Sequence, residues 1–524
     1  MQLLNSNHSM RRREMLAATF AGMLGACRKP AAAPAKRTNI LFVLADDQSW
    51  LHTGIGGSKL VKTPAFDRLA REGMLFTNSF CASPSCTPSR GAILTGRHMW
   101  QIGEMGVLYG TVPPSLPLFT HLLEDAGYQV GFTGKSWAPG NWQAGGLKRH
   151  PVGKEFNRRH IEERLPPGIS VYDYAANFED FLTARKSGAP FFFWFGSQEP
   201  HRIYDEGLGL RFGKKLADVD VPPFLPDSDE VRGDIIDYCA EIDYYDTHLE
   251  RMLKKLEELG ELDNTLIVCT SDNGMPFPRA KANLYDYGTH MPLAIRWGKQ
   301  RQGGGSTDAF VNHVDFAPTF LEAAGLPVPQ GTTGKSLLPL IKGEKQEGRD
   351  CTYTAMERHT WCRPEGAGYP MRAIRTATHL YIRNFAPDRW PTGGPDFVSS
   401  NKTFHGDVDG GPTKDFMTAP ANQRKFARQY ALAFGKRPAE ELYELASDPH
   451  QMKNIAADPS KKELKTELWA KLEGYLKQTG DPRIAGQDPW QGYVYHEESG
   501  YGATFNRSLS EEERKKAIAR KAVR

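Results

Sequence analysis

From Asn39 the chain alternates short, β-rich apolar runs with stretches of helical periodicity, the pattern of an α/β protein. Asn39-Ile40-Leu41-Phe42-Val43-Leu44-Ala45 reads as a buried strand, and Tyr128 to Thr133, Pro190 to Phe195 and Thr265 to Thr270 read the same way. Leu118, Phe119, Leu122, Leu123 and Ala126 mark a helix face that stops at Gly127. The longest predicted helix runs from Val231 to Leu259, where Ile235, Cys239, Ile242, Leu249, Leu253 and Leu256 recur at spacings of three, four or seven. After about Gly368 the texture changes to short strands, Met371 to Thr376 and His379 to Phe385. A Gly/Pro/Asp-rich loop and a late helix around Lys461 to Leu476 follow. The expected architecture is an α/β catalytic domain over residues 37–368, with a large, mixed, mostly parallel sheet between helices. A smaller C-terminal α+β domain over residues 369–505 follows it. Ser510-Glu511-Glu512-Glu513 resembles a capping box that opens a basic helical tail, residues 506–524.

The first 36 residues are set apart from the fold. Arg11-Arg12-Arg13-Glu14-Met15-Leu16 and the apolar run to Ala26 have the layout of an export signal, and the arginine pair resembles a twin-arginine signal. Leu24-Gly25-Ala26-Cys27 resembles a lipoprotein box, with the Ala/Pro-rich stretch after it as a tether. The expected location is therefore outside the cytoplasm, in the periplasm or beyond, with the chain either anchored through Cys27 or released by a plain cleavage.

Composition narrows the class. Charged residues make up 24% of the 524, and 66 basic against 62 acidic residues leave a net charge of +4, which argues against a nucleic-acid binder. An acidic ligand has to be held by local charge. Seven cysteines without C-x-x-C pairs fit neither a disulfide scaffold nor a zinc site, although Cys351 and Cys362 are candidates for one disulfide.

Two strand ends carry the first chemical signal. Asp46-Asp47 follow one predicted strand and Asp272-Asn273 another, so in a parallel sheet both pairs leave carboxyl ends, where α/β folds place ligands. Carboxylates with a carboxamide are hard oxygen donors suited to calcium or magnesium rather than zinc. The second signal is Cys86-Thr87-Pro88-Ser89-Arg90, continuing to Leu94-Thr95-Gly96, where a small polar loop turns into a short apolar stretch.

That segment resembles the type I sulfatases of the alkaline-phosphatase-like superfamily, and matches their C-x-P-S-R-x-x-x-L-T-G signature at every fixed position. Ser271-Asp272-Asn273-Gly274, Asn283-Leu284-Tyr285, Tyr369-Pro370-Met371-Arg372 and Glu441-Leu442-Tyr443 narrow it towards the N-sulfoglucosamine sulfohydrolase (heparan sulfamidase-like) branch. The resemblance implies that a separate maturation enzyme oxidises Cys86 to formylglycine. It also implies that Asp46, Asp47, Asp272 and Asn273, completed by the modified Cys86, hold Ca²⁺, with Mg²⁺ as the alternative. Arg90 is then expected to support the nucleophile, and Lys135, His201 and Lys281 to bind the sulfate, His201 serving as general acid. The chain departs from the family at Trp137, where many sulfatases carry a histidine. The base for the second formylglycine hydroxyl is therefore open among His98, His290 and water, while Trp137 is expected to wall the pocket, stack on a sugar or pack in the core. Gln198, Glu199, Glu357, Arg358 and His359 are the candidate substrate-binding residues at the rim.

The expected function is removal of sulfate, as O-ester or N-sulfate, from a sulfated carbohydrate. The alternatives are a phosphate or phosphonate monoester hydrolase on the same scaffold and a non-catalytic glycan-binding pseudo-sulfatase.

Overall fold

A computed structural model describes residues 37–163, 165–301, 303–399 and 402–496. The expected export signal, the Cys27 anchor and the basic tail lie outside them. Among the described residues no helix is long and apolar enough to cross a membrane.

The buried apolar runs build a nine-stranded sheet. Its strands are β1 (Asn39–Ala45), β2 (Met74–Phe80), β3 (Gln129–Gly134), β4 (Lys154–Glu155), β5 (Phe191–Gly196), β6 (Thr265–Ser271), β7 (His290–Met291), β8 (Leu293–Trp297) and β9 (Gly305–Asn312). Their order is β4-β3-β5-β1-β6-β8-β2-β7, with β9 beside β2. From β4 to β6 every pairing is parallel, whereas β8 runs antiparallel to both β6 and β2. β1, β5 and β6 are apolar on both faces because helices cover both sides, as parallel strands require. One face packs on the long helix Asp229–Glu258, through Ile235, Cys239, Ile242 and Leu249, and the other on the helices Phe119–Asp125 and Phe316–Ala323.

A second, antiparallel sheet has the order β10 (Cys351–Met356), β11 (Met371–Thr376), β12 (His379–Asn384) and β13 (Glu440–Glu444). It packs on the helix Lys462–Gln478 through Ile374, Tyr381, Leu442, Leu468 and Leu472. Its first strand opens at Cys351, so the change of texture at Gly368 falls inside this sheet, and the described residues from Arg37 onward form one compact unit. The proposed disulfide is not made, since Cys351 and Cys362 are both free thiols. Six extended residues of β10 carry the chain about 17 Å away from Cys351 before the turn that leads to Cys362.

Candidate active site

Four adjacent parallel strands, β3, β5, β1 and β6, end at one edge of the large sheet and deliver most of the site. The β1–β6 register places Ala45 beside Ser271, so Asp46-Asp47 and Asp272-Asn273 emerge side by side. The Asp272 amide donates to the Ala45 carbonyl at 3.1 Å, which extends the ladder past the strand ends. β3 and β5 meet at Gly134 and Gly196, and the Lys135 amide donates to the Gly196 carbonyl at 2.7 Å. A Cβ on Gly134, whose φ is +72°, would lie 2.0 Å from that carbonyl oxygen, so the approach that aims Lys135 into the site requires glycine. His201 follows β5 on the loop beyond Gly196, and Lys281 comes from the loop after β6.

Cys86 opens the helix Cys86–Thr95, a helix buried throughout, and its thiol faces Asp46 Oδ1 at 3.6 Å. Arg90 lies one turn further along the same helix and is fully buried. It donates from Nε to Asp272 Oδ2 at 2.8 Å and from Nη1 to the carbonyls of Lys135 and Ser136 at 2.9 and 2.8 Å. Burial pushes the Cys86 thiol well above its ordinary pKa, and the cations Lys135 and Lys281 do not offset it. As a cysteine it stays protonated and is a poor nucleophile.

Asp46, Asp47 and Asp272 offer carboxylate oxygens within 4.8 Å of one another. Three permanent cations face them: Lys135 pairs with Asp46, Lys281 donates to Asp47 Oδ2 at 2.7 Å, and Arg90 holds Asp272. Burial opposes ionisation of Asp46, but Lys135, His201 and Arg90 outweigh it and hold the carboxyl well below the usual range. Asp47 goes the other way, because burial and the negative charges of Asp46 and Asp272 push it up to about 6. Like charges crowded in a dry site favour a proton or a cation.

The donor set fits a hard divalent cation. The side-chain oxygen of Asn273 is buried without a hydrogen-bond partner, beside a carboxylate cluster composed only of oxygen donors. Asp47 holds its left-handed backbone, φ +74°, and its amide donates to Asp272 Oδ1 at 3.1 Å, which turns both carboxylates to the same point.

Above this floor lies a pocket of about 290 Å³, lined by Cys86, Tyr109, Lys135, His201, Lys281 and His359, with Thr360 and Asp409 at its wall. The His201 Nδ1 lies 2.6 Å from the Arg202 carbonyl, so this nitrogen carries the hydrogen and Nε2, 3.8 Å from Asp47, faces the site. Asp409 was not foreseen from the sequence. Its carboxylate accepts from Lys281 Nζ at 3.0 Å, and Lys281 with His201 holds it ionised well below its ordinary pKa despite burial. Its only sequence signal is the Asp407-Val408-Asp409-Gly410-Gly411 run in an otherwise plain loop.

The rim residues separate. His359 lines the pocket with Nδ1 against Ser85 Oγ at 2.8 Å, and burial lowers its pKa to about 4, so the ring is neutral. Gln198 is exposed beside His201 and Lys135. Glu199 does not reach a substrate: it is fully buried and accepts from the Ser170 amide, Tyr174 hydroxyl and Ser197 hydroxyl, a network that shapes the loop of His201. Glu357 is likewise internal, clamped by Arg372 at 2.8 Å and Arg483 at 2.5 Å, and Arg358 is buried over Trp361 and Tyr495. Charged side chains in a loop looked like rim groups, but each has its counter-ion or aromatic partner inside. Trp137 belongs to the apolar core behind the Ala138 and Pro139 wall rather than to the pocket. Neither suggested base is close: His98 stacks on Trp100 and bonds the Tyr475 hydroxyl, and His290 is sandwiched between Trp50 and Phe80.

Residues 38–326 match the sulfatase family. The chain belongs to that family, whose members are hydrolases of sulfuric esters. Within it, residues 279–390 match the N-sulphoglucosamine sulphohydrolase C-terminal domain, which spans the loop of Lys281 and the strands β10 to β12. An ulvan-active sulfatase of Formosa agariphila is 30% identical over 450 residues, 85% of this chain and 81% of that protein. Human N-sulphoglucosamine sulphohydrolase is 28% identical over 521 residues, 89% of this chain and 94% of the human one. A solved structure bound to its substrate D-glucosamine-2-N,6-O-disulfate shares the fold, with a TM-score of 0.63 and 22% identity over 86% of this chain and all of that one. So does a phosphonate monoester hydrolase from Silicibacter pomeroyi, with a TM-score of 0.59 and 18% identity over 85% of this chain and 96% of that one. The fold is therefore shared across reactions, and the family match and site residues carry the assignment.

Proposed function

We propose that this sulfatase removes sulfate from a sulfated glycan outside the cytoplasm, with Cys86 converted to formylglycine and calcium held by Asp46, Asp47, Asp272 and Asn273. The observation that carries the reading is the convergence of Cys86, an oxygen-only donor cluster and the cations Lys135 and Lys281 on one small pocket. The relatives support the substrate class, since they are named for ulvan and for N-sulphoglucosamine. As a hydrated aldehyde the modified side chain offers two hydroxyls on one carbon, one to attack sulfur and one whose deprotonation expels sulfate and restores the aldehyde. A bound divalent cation supplies Lewis-acid stabilisation of the reacting oxygens.

The remaining roles fall to residues of the chain. Lys135 and Lys281 neutralise sulfate oxygens where negative charge grows. His201, with Nδ1 tied to the Arg202 carbonyl, presents Nε2 to protonate the leaving atom. His359 is the neutral imidazole in the pocket wall and takes the place of His98 and His290 as the base for the second hydroxyl.

Mass spectrometry of active enzyme tests the nucleophile. Trypsin releases residues 72–90, and formylglycine is expected at position 86; a peptide carrying only intact cysteine there sinks the reading. Export is tested by cell fractionation, where a purely cytoplasmic location of the full chain rejects the signal reading of residues 1–36.

Bond type follows from the leaving group. An amine departs poorly unless protonated, whereas an aryl sulfate leaves as a weakly basic phenolate. His201→Ala is expected to lose about 10²–10⁴-fold on the natural glycan and far less on 4-nitrocatechol sulfate. Equal proportional loss would make His201 a sulfate binder that donates no proton. Product analysis of wild-type enzyme on N-sulfated and O-sulfated glucosamine then separates sulfamidase from ester hydrolase.

A further inference from the structure

The catalytic pocket carries one group that binding a sulfate does not call for. Lys135 and Lys281 line it as cations, yet Asp409 lines it too, the one carboxylate in that lining among the described residues. A carboxylate repels the sulfate oxygens, so it has to meet another part of the substrate.

The burial of Lys281 does not account for this side chain. Lys281 already donates to Asp47 Oδ2 at 2.7 Å, so its charge is compensated without Asp409. The second ion pair, at 3.0 Å, engages Oδ2 of Asp409 and leaves Oδ1 without a hydrogen bond among the described residues, on a side chain that is 18% exposed at the pocket. A carboxylate oxygen of Asp409 lies within 4.8 Å of a ring nitrogen of His201, and a ring nitrogen of His201 lies as close to the Cys86 sulfur. His201 stands at the leaving atom, so Asp409 reaches the part of the sugar next to the bond that breaks.

The two residues before Asp409 fix its place. Asp407 Oδ1 accepts from the Thr360 amide at 2.7 Å and hydroxyl at 2.9 Å, while its Oδ2 accepts from Arg363 Nη2 at 2.6 Å. The Val408 side chain is buried in the apolar core, and its carbonyl accepts from Lys414 Nζ at 2.6 Å. A carboxylate held this firmly discriminates between substituents instead of moving aside for them.

We propose that Asp409 is a specificity-determining residue: it accepts a hydrogen bond from a free hydroxyl or ammonium on the sugar carbon next to the one that bears the cleaved sulfate, and it rejects sugars with a second anionic group there. This inference rests on the glycan sulfatase reading. A donor at that position gains a charge-assisted bond. A second sulfate there meets a carboxylate whose nearest ammonium is already shared with Asp47, and is repelled.

The test compares kcat/KM for two substrates with the same cleaved sulfate, the sulfated sugar that wild type desulfates fastest and the same sugar with the neighbouring hydroxyl or amine also sulfated, the released position being read by NMR. Wild type is expected to favour the first by about 10–100-fold, the worth of a hydrogen bond to a charged group. Asp409→Asn keeps the shape and an acceptor oxygen but not the charge, and is expected to cut that ratio by about five-fold or more. Weaker support of Lys281 in this variant lowers both values alike and cancels in the ratio. A wild-type ratio near one overturns the proposal without recourse to any variant, and an unchanged ratio in Asp409→Asn overturns it as well; both leave the glycan reading standing. Wild-type enzyme that desulfates 4-nitrophenyl sulfate and no sugar overturns both.

Discussion

Cys86→Ala is expected to lose turnover by about 10⁴-fold or more, the scale seen when a nucleophile is removed outright. Cys86 is 2% exposed and only one sulfur atom is deleted, so folding should cost no more than about 1 kcal/mol and the melting curve should stay close to wild type. Cys86→Ser separates the formylglycine mechanism from simple nucleophilic attack. A serine hydroxyl can accept sulfate, but it has no second hydroxyl on the same carbon with which to expel it. A serine that escapes oxidation is therefore expected to stop after one turnover, with a sulfated protein visible by intact mass. Sustained turnover by Cys86→Ala would end the assignment and move the nucleophile to Thr360 or Tyr109, the hydroxyl groups that line the same pocket among the described residues.

Much of this architecture was legible because strands buried on both faces write themselves as continuous apolar runs. Asn39–Ala45 appeared with its bounds, and β5 and β6 within one residue. β2 was not legible: Met-Leu-Phe-Thr-Asn-Ser-Phe mixes apolar and polar positions, because this strand lies near the sheet edge with its middle partly exposed. β10 places Thr352 and Thr354 among its apolar positions and three of the five residues of β13 are glutamates, so the second sheet was recognised only from its two central strands. Within the site, residues that leave strand ends or sit in the Cys86 segment could be placed from sequence, since register decides what emerges where. Loop residues could not. Glu357 and Asp409 are both carboxylates in connecting segments, yet Glu357 is clamped by Arg372 and Arg483 while Asp409 reaches Lys281 in the pocket. Which carboxylate finds an internal arginine is a property of tertiary contact.

Asp47→Asn is the substitution that most sharply divides a cation site from a structural ion-pair cluster. Asparagine keeps the shape and tolerates the left-handed backbone at this position, φ +74°, so no conformational penalty is expected. In the cation-free protein Asp47 titrates at about 6, raised first by burial and then by Asp46 and Asp272. An unfolded aspartate titrates near ~3.9, so the folded state holds this proton more tightly, and the stability it confers is present below pH ~4 and lost as pH rises through about 6. Asp47→Asn removes that loss and should raise the melting temperature of the cation-free enzyme at pH 7.5. Lys281 keeps Asp409 as its partner, which limits the cost of losing the Asp47 charge. The same change removes a hard anionic donor, so calcium should no longer stabilise the variant, and activity should fall by about 10²-fold or more. In wild type the proton and the cation compete for Asp47. The melting shift produced by calcium should therefore be small at pH 5 and large at pH 7.5. If calcium stabilises wild type and Asp47→Asn alike, or stabilises neither at pH 7.5, then Asp46, Asp47 and Asp272 serve only to neutralise Lys135, Lys281 and Arg90, and the cation assignment fails.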